Sequence, residues 1–162
     1  MIQFYRHSGI YRLESEQHLP ISMDQAWRFF SDPQNLQRIT PKEMGFEVTS
    51  DVASTIFAGQ IITYRVGIFP FIKSNWVTEI THVAPPAFFV DEQRFGPYRM
   101  WHHEHHFQQT ANGVLMKDRV SYKLPCAFLG RLAHHLFVKH QLLKIFVYRQ
   151  ELLERFFSER SA

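Results

Sequence analysis

Disulfide chemistry is the first thing the sequence rules out: Cys126 is the only cysteine among 162 residues. No intrachain bridge can form, and a reducing compartment is the expected setting. Long apolar runs are missing too. No stretch reaches the roughly 20 residues that a membrane-crossing helix needs, and the opening MIQFYRHSGIYRLESEQ has no apolar core of signal-peptide length. The expectation is a cytoplasmic protein without stable membrane insertion. Blocks of one charge are absent as well, since 18 Lys and Arg are interspersed with 15 Asp and Glu for a net +3. With no zinc-finger spacing, recognition-helix motif or aromatic RNA signature, no nucleic-acid partner is expected. Neither a glycine-rich phosphate loop nor a nucleophile motif is visible, which excludes nucleotide and covalent hydrolase chemistry and leaves no cofactor to expect.

What the sequence does have is aromatic bulk. Hydrophobic content of 45% and aromatic content of 15% argue for an ordered core, and the length suits one domain over 1–162 that can enclose a cavity. The most informative stretch is AFFVDEQRFGPYRMWHHEHHF, Ala87 to Phe107. It reads as two antiparallel strands joined at Phe95-Gly96-Pro97-Tyr98. Period-2 alternation in the second strand puts Trp101, His103, His105 and Phe107 on one face, and His102, Glu104 and His106 on the other. The face with the large aromatics is expected to be buried, which places two imidazoles in an interior.

The next hairpin gives an independent reading of the same face. A type I′ turn at Asn112-Gly113 predicts that His105 pairs with Val120, His103 with Tyr122 and Phe107 with Asp118. The following strand alternates by itself, with Met116, Asp118, Val120, Tyr122 and Leu124 inward and Lys117, Arg119, Ser121 and Lys123 outward. Asp118 is therefore expected on the inner face, diagonal to His105 at about 7–8 Å between backbones.

In chain order, Met1 to Gly9 reads as a loose lead-in and Ile10 to Leu19 as a first strand. Ser22 with Gln25 forms a capping box for a short helix, Asp32-Pro33 breaks it, and a second helix spans Pro33 to Ile39. Strands are expected near Gly45–Ser50, Gly59–Phe69, Lys73–Val83, Phe88–Arg94, Arg99–Gln109 and Val114–Leu124, punctuated by Pro70, Pro85-Pro86, Gly96-Pro97 and Asn112-Gly113. A helix of about 30 residues then runs from Phe128 to about Ser158, about 45 Å long. Its helical stripe is Leu132, Leu136, Leu143, Val147 and Phe157, but Val138, Leu142, Ile145, Leu152 and Phe156 lie off it. Burial on two sides is one account and a homodimer contact another.

That order resembles the helix-grip superfamily known as SRPBCC or START-like. More narrowly, Leu36-Gln37-Arg38-Ile39-Thr40-Pro41, Phe89-Val90-Asp91-Glu92-Gln93 with Gly96-Pro97-Tyr98, the Trp101, His103, His105, Phe107 series, and Met116-Lys117-Asp118-Arg119-Val120-Ser121-Tyr122 look like the ligand-binding, polyketide cyclase/dehydrase-like subfamily. Cys126 departs from the pattern, in which a small or apolar residue is usual. The resemblance implies an α+β helix-grip fold, a curved antiparallel sheet wrapped around a long C-terminal helix with two short helices after the first strand. It also implies a small hydrophobic ligand in a cavity between sheet and helix. Because the superfamily holds lipid carriers, hormone receptors, cyclases and oxygenase domains, it fixes no reaction.

Within that cavity, His103, His105 and Asp118 are the candidates for acid/base work, as in a cyclase or dehydratase, since a carboxylate beside a histidine sets its tautomer and raises its pKa. The same three residues could equally orient a polar group of a bound molecule. The expected ligand-binding set adds Tyr64, Trp76, Trp101, Phe107, Met116 and Tyr122, with Asp91 and Gln93 either facing the cavity or fixing the Gly96-Pro97 turn. A His-x-His strand could also ligate a metal through His103/His105 with an aspartate, or through His102/His106, but no cysteine or third histidine accompanies either pair, and no metal is assigned. His134, His135 and His140 read as surface or groove residues.

Overall fold

The first nine residues are not a loose lead-in. In the computed structural model, which describes residues 1–69 and 72–158, strand β1 (Ile2–His7) pairs antiparallel with β2 (Ile10–Leu19). The turn between them uses the positive φ of Ser8 and Gly9. Ile2 and Phe4 pack onto a buried cluster of Tyr11, Leu13, Val120 and Tyr122, and this apolar contact is what ties the segment down. Ser22 caps helix α1 (Met23–Phe30) as expected, its side chain accepting from the Gln25 N–H while the Gln25 side chain accepts from the Ser22 N–H. Asp32 then caps α2 (Pro33–Arg38), with Pro33 in its first turn.

After a 3-10 turn at Lys42–Met44, the expected strand near Gly45–Ser50 shrinks to β3 (Glu47–Val48). The long strands β4 (Ile61–Phe69), β5 (Ile72–Ala84), β6 (Phe88–Phe95), β7 (Met100–Thr110) and β8 (Gly113–Lys123) complete one eight-stranded antiparallel sheet in the order β1-β2-β8-β7-β6-β5-β4-β3. Pro70, read above as punctuation, lies outside the described residues. Irregular register between β5 and β6 at Val77/Thr78 and Ile80/His82 marks bulges, which add local twist and bend the sheet.

The last hairpin corrects the predicted register. Thr110 pairs with Gly113, so the turn centres on Ala111-Asn112, and His105 lies opposite Asp118, His103 opposite Val120 and Phe107 opposite Met116. The type I′ turn fails because neither Ala111 nor Asn112 takes a positive φ; Gly113 does, at 135°. Glycine is needed there, since a Cβ would sit 2.2 Å from the Leu19 carbonyl oxygen. A shift of two residues keeps every side chain on its predicted face, and it brings Asp118 directly across from His105 rather than diagonal to it.

The C-terminal helical run consists of α3 (Ala127–Ala133), a π-helical turn (His134–Val138) and α4 (Lys139–Ser158). Of the predicted stripe only Phe157 is on its buried side. Leu142, Phe146, Arg149, Leu153 and Phe157 face the sheet, while Leu132, Leu136, Leu143 and Val147 are exposed. The π turn inserts an extra residue and offsets the faces of α3 and α4, and the large rings of Phe146 and Phe157 fill the concave sheet. One apolar core lies under α1, α2 and the end of α4, around Leu19, Ile62, Phe107 and Leu153; a second lies under the start of α4 around Tyr122 and Phe146. This is the helix-grip arrangement, a sheet closed over one long helix.

Candidate functional site

Between the two cores the concave face of the sheet meets α4 across a cavity. The centre of a water-sized sphere can occupy about 190 Å³ of it. Its walls are largely apolar: Ile62, Ile80, Phe89 and Met116 from the sheet, Leu36 and Ile39 from α2 and its end, and Leu142, Ile145 and Phe146 from α4. Trp76, Tyr98 and Trp101 form an aromatic corner, with ring centroids 5.2 Å apart for the two tryptophans and 4.8 Å for Tyr98 and Trp101. Tyr64 also lines the cavity. Burial first, and for Tyr64 the neighbouring Asp91 charge, push both phenols well above their ordinary range, so each stays a protonated, hydrogen-bonding group.

One wall is ionic. On β7, His103 and His105 point inward with ring centroids 3.7 Å apart, and Phe89 stacks on His105 at 4.1 Å. Asp118 on β8 stands behind them, 4% exposed. Its Oδ1 accepts from His103 Nε2 at 2.9 Å and lies 3.0 Å from His105 Nδ1, where the alignment is too poor for a hydrogen bond. Asp91 on β6 stands in front. Its Oδ2 is 2.8 Å from His105 Nε2 and 3.5 Å from His103 Nδ1. Each imidazole is therefore held between the two carboxylates, one edge toward each.

The protonation of this quartet follows from its contacts. Burial opposes ionisation of Asp118 and Asp91, but the hydrogen bonds and charges of the histidines outweigh it and hold both carboxyls below their ordinary range. For His105 the same burial is overcome by Asp118 and Asp91, and its pKa rises. His103 goes the other way, because burial and the adjacent His105 charge outweigh its carboxylate partners. The wall thus holds two ionised carboxylates, and of its two imidazoles His105 is the one whose cationic form they favour. Arg149 of α4 completes it: buried, lining the same cavity, and depressed in basicity by burial against the pull of Asp118 and Asp91. Among the described residues its Nε has no hydrogen-bond partner.

Of the residues read from the sequence, the structure brings Tyr64, Trp76, Asp91, Trp101, His103, His105 and Met116 to the cavity, with Asp118 one layer behind. Three lie elsewhere. Gln93 donates to the Tyr98 carbonyl and accepts from the Tyr98 N–H, closing the β6–β7 turn. Phe107 packs under α1 against Trp27 and Phe30. Tyr122 is fully buried in the second core and hydrogen-bonds His134 at 2.9 Å. That contact also moves His134 off the surface, where it stacks on Tyr11 at 3.6 Å; His135 and His140 are exposed. Arg149 and Tyr98 were not read from the sequence. A signal for Arg149 was available, as the one cation on the Leu142, Phe146, Leu153, Phe157 stripe. The outer pair His102 and His106 bonds Glu92 and Glu104 in a partly exposed ladder.

No family model matches the sequence, and no curated protein matches it. Solved structures do match. A protein of Thermus thermophilus is 16% identical with a TM-score of 0.69, over 93% of this chain and 99% of that one. A norcoclaurine synthase point mutant from Thalictrum flavum, in complex with a transition-state analogue, is 13% identical with a TM-score of 0.66 over the whole of both chains. Major latex-like protein 151 from Panax ginseng is 11% identical with a TM-score of 0.67, over 93% of this chain and 99% of that one. At such identities the likeness is one of fold.

Proposed function

Because the chain has the helix-grip fold of the SRPBCC, START-like superfamily, we propose that it binds a small hydrophobic molecule bearing one or two polar groups in the cavity between the sheet and α4. The observation that carries this reading is the contrast within the cavity: apolar and aromatic walls on most sides, and Asp91, His103, His105 and Arg149 gathered on one. Apolar walls supply affinity, and a few fixed polar groups set orientation. Asp118 acts from behind, holding the imidazoles in place. Trp76 and Trp101 line the cavity, so their fluorescence reports on occupancy. Titration with a panel of apolar compounds, with and without a hydroxyl, carbonyl or carboxylate, tests the proposal. Saturable quenching that favours the polar-tipped members is expected, and no saturable response to any member contradicts it.

A second reading, a cyclase or dehydratase of the polyketide cyclase/dehydrase-like kind, is favoured by one feature. His103 and His105 are displaced in opposite directions, which pairs an acid with a base in one site. Under this reading Asp118→Asn abolishes turnover of a cyclisable carbonyl compound while binding is retained; a pure binder has no turnover to lose. The exposed Leu132, Leu136, Leu143 and Val147 are the surface on which a homodimer would form, which light scattering across a concentration series tests. A cytoplasmic setting accords with the single cysteine, and no helix among the described residues is long and apolar enough to cross a membrane.

A further inference from the structure

We propose that Asp91, His103 and His105 bind a divalent first-row transition-metal cation, with Asp118 orienting both imidazoles and the cavity supplying the open coordination positions. Among the described residues, this is the one group of His, Cys, Asp and Glu side chains whose ligand atoms converge, all within 4.8 Å of one another. A cation with ligands at about 2.0–2.2 Å needs neighbouring ligand atoms about 3.0–3.5 Å apart. Asp91 Oδ2 lies 2.8 Å from His105 Nε2 and 3.5 Å from His103 Nδ1, so both carboxylate–imidazole pairs are near that spacing, and no pair in the group is more than 4.8 Å apart.

The far side of each ring supports the assignment independently. The nitrogens that do not face Asp91, His103 Nε2 and His105 Nδ1, are 2.9 and 3.0 Å from one oxygen of Asp118. A metal-binding histidine characteristically presents its other nitrogen to such a carboxylate, which fixes the tautomer and raises ligand basicity. With Asp118 accepting from His103 Nε2–H, the lone pair of the neutral ring sits on Nδ1 and faces the Asp91 oxygen. Two electron-rich atoms converge there 3.5 Å apart, a separation that two ligands of one cation can span.

Geometry and charge also say what else the cation would hold. All three ligands lie on the ionic wall and border the cavity, giving a two-histidine, one-carboxylate face with open positions toward the ligand space. Binding releases the His105 Nε2 proton to solvent, leaving its remaining N–H on Nδ1 toward Asp118; the dication then balances Asp91 and Asp118, which leaves the buried Arg149 guanidinium, its Nε without a partner among the described residues, as surplus positive charge. The complementary occupant of the open position is an oxygen anion on the organic ligand, a carboxylate or an enolate. That last step rests on the cavity-binding reading; cation binding itself does not.

The test is titration of the chelator-treated full chain with Co²⁺ in the absence of any organic ligand, followed by visible absorption and back-displacement with Zn²⁺. One saturable equivalent with ligand-field bands is expected. Asp91→Asn should weaken binding by more than tenfold, and Asp118→Asn by about 10- to 100-fold, the usual range for an outer-shell carboxylate. The double variant His102→Ala/His106→Ala should match wild type. Far-UV circular dichroism identifies any variant that fails to fold, and for such a position His103→Gln serves as the substitute. Absence of saturable binding to folded wild type, retention of full affinity in folded Asp91→Asn and His103→Gln, or loss in the outer double variant overturns the proposal. Because these titrations omit organic ligand, a negative result leaves the cavity reading standing. Tryptophan titrations on metal-free protein decide that reading separately.

Discussion

Replacing Asp118 by asparagine should be one of the more damaging isosteric changes available in this chain. The carboxylate is 4% exposed and faces both imidazoles, accepting from His103 at 2.9 Å and lying 3.0 Å from His105. Removing one partner of a buried ion pair costs roughly 3–5 kcal/mol, because the remaining charge is left uncompensated. Asparagine keeps the shape and one acceptor oxygen, so a neutral hydrogen bond worth about 1 kcal/mol survives. The expected net loss is about 3 kcal/mol, or a fall in Tm of about 6–12 °C for a chain of this length. Asp91 gives the contrast. It makes a comparable contact to His105, but its side chain is 17% exposed at the cavity, where water can replace part of what is lost. Asp91→Asn should therefore cost only about 1 kcal/mol. Urea denaturation of chelator-treated protein at pH 7 measures both, with an unchanged m-value as the check on comparability. If Asp118→Asn falls within 0.5 kcal/mol of wild type (roughly the scatter of an ordinary surface substitution), or if Asp91→Asn proves the more damaging, the quartet is not the compensated buried network described here.

Three further outcomes are expected. The pKa of His134 is lowered from 6.5 to about 4, by burial first and then by nearby positive charge. The unfolded chain therefore takes up this proton before the folded one does, and wild type should lose stability relative to His134→Gln as pH falls from about 6.5 to 4, but not above that window; parallel melts across pH measure the difference. Gly130→Ala would normally stabilise a helix by up to about 1 kcal/mol, but here the added Cβ would lie 2.3 Å from the Pro125 carbonyl oxygen, so destabilisation by about 1–3 kcal/mol is expected in urea titrations. Arg149→Met should leave affinity for neutral cavity ligands within a few-fold of wild type and weaken carboxylate-bearing ones at least tenfold, read by the same tryptophan quenching.

The inner face of β7 and β8 was legible in the sequence because period-2 alternation survives an even register slip. The turn lies one residue earlier than expected and the register shifts by two, yet His103, His105 and Asp118 still fell on one face. Asp91 was harder to place, since Phe89 and Val90 are both buried and alternation along β6 decides nothing by itself; the bulges in the β5–β6 pairing belong to tertiary structure. The C-terminal run shows the limit of helical spacing. Two apolar stripes share it, and which one meets the sheet depends on the π turn and on the shape of the concave face, neither of which is written locally. The same uncertainty hid Arg149, because a cation on a stripe has meaning only once that stripe is known to be the buried one. His134 was missed for a related reason: its partners Tyr11 and Tyr122 lie more than ten residues away and meet it only through the sheet.

The central claim is that the cavity holds an organic molecule, and native mass spectrometry tests it most directly. Wild type, freshly purified and again after incubation with an apolar metabolite extract, would be compared with Ile145→Trp, which places a large ring in the cavity from the half-buried α4 wall. The account predicts a discrete mass above that of the polypeptide in wild type, released on denaturation and diminished in the variant. Bare polypeptide mass in every wild-type sample, or equal retention by Ile145→Trp, would contradict it.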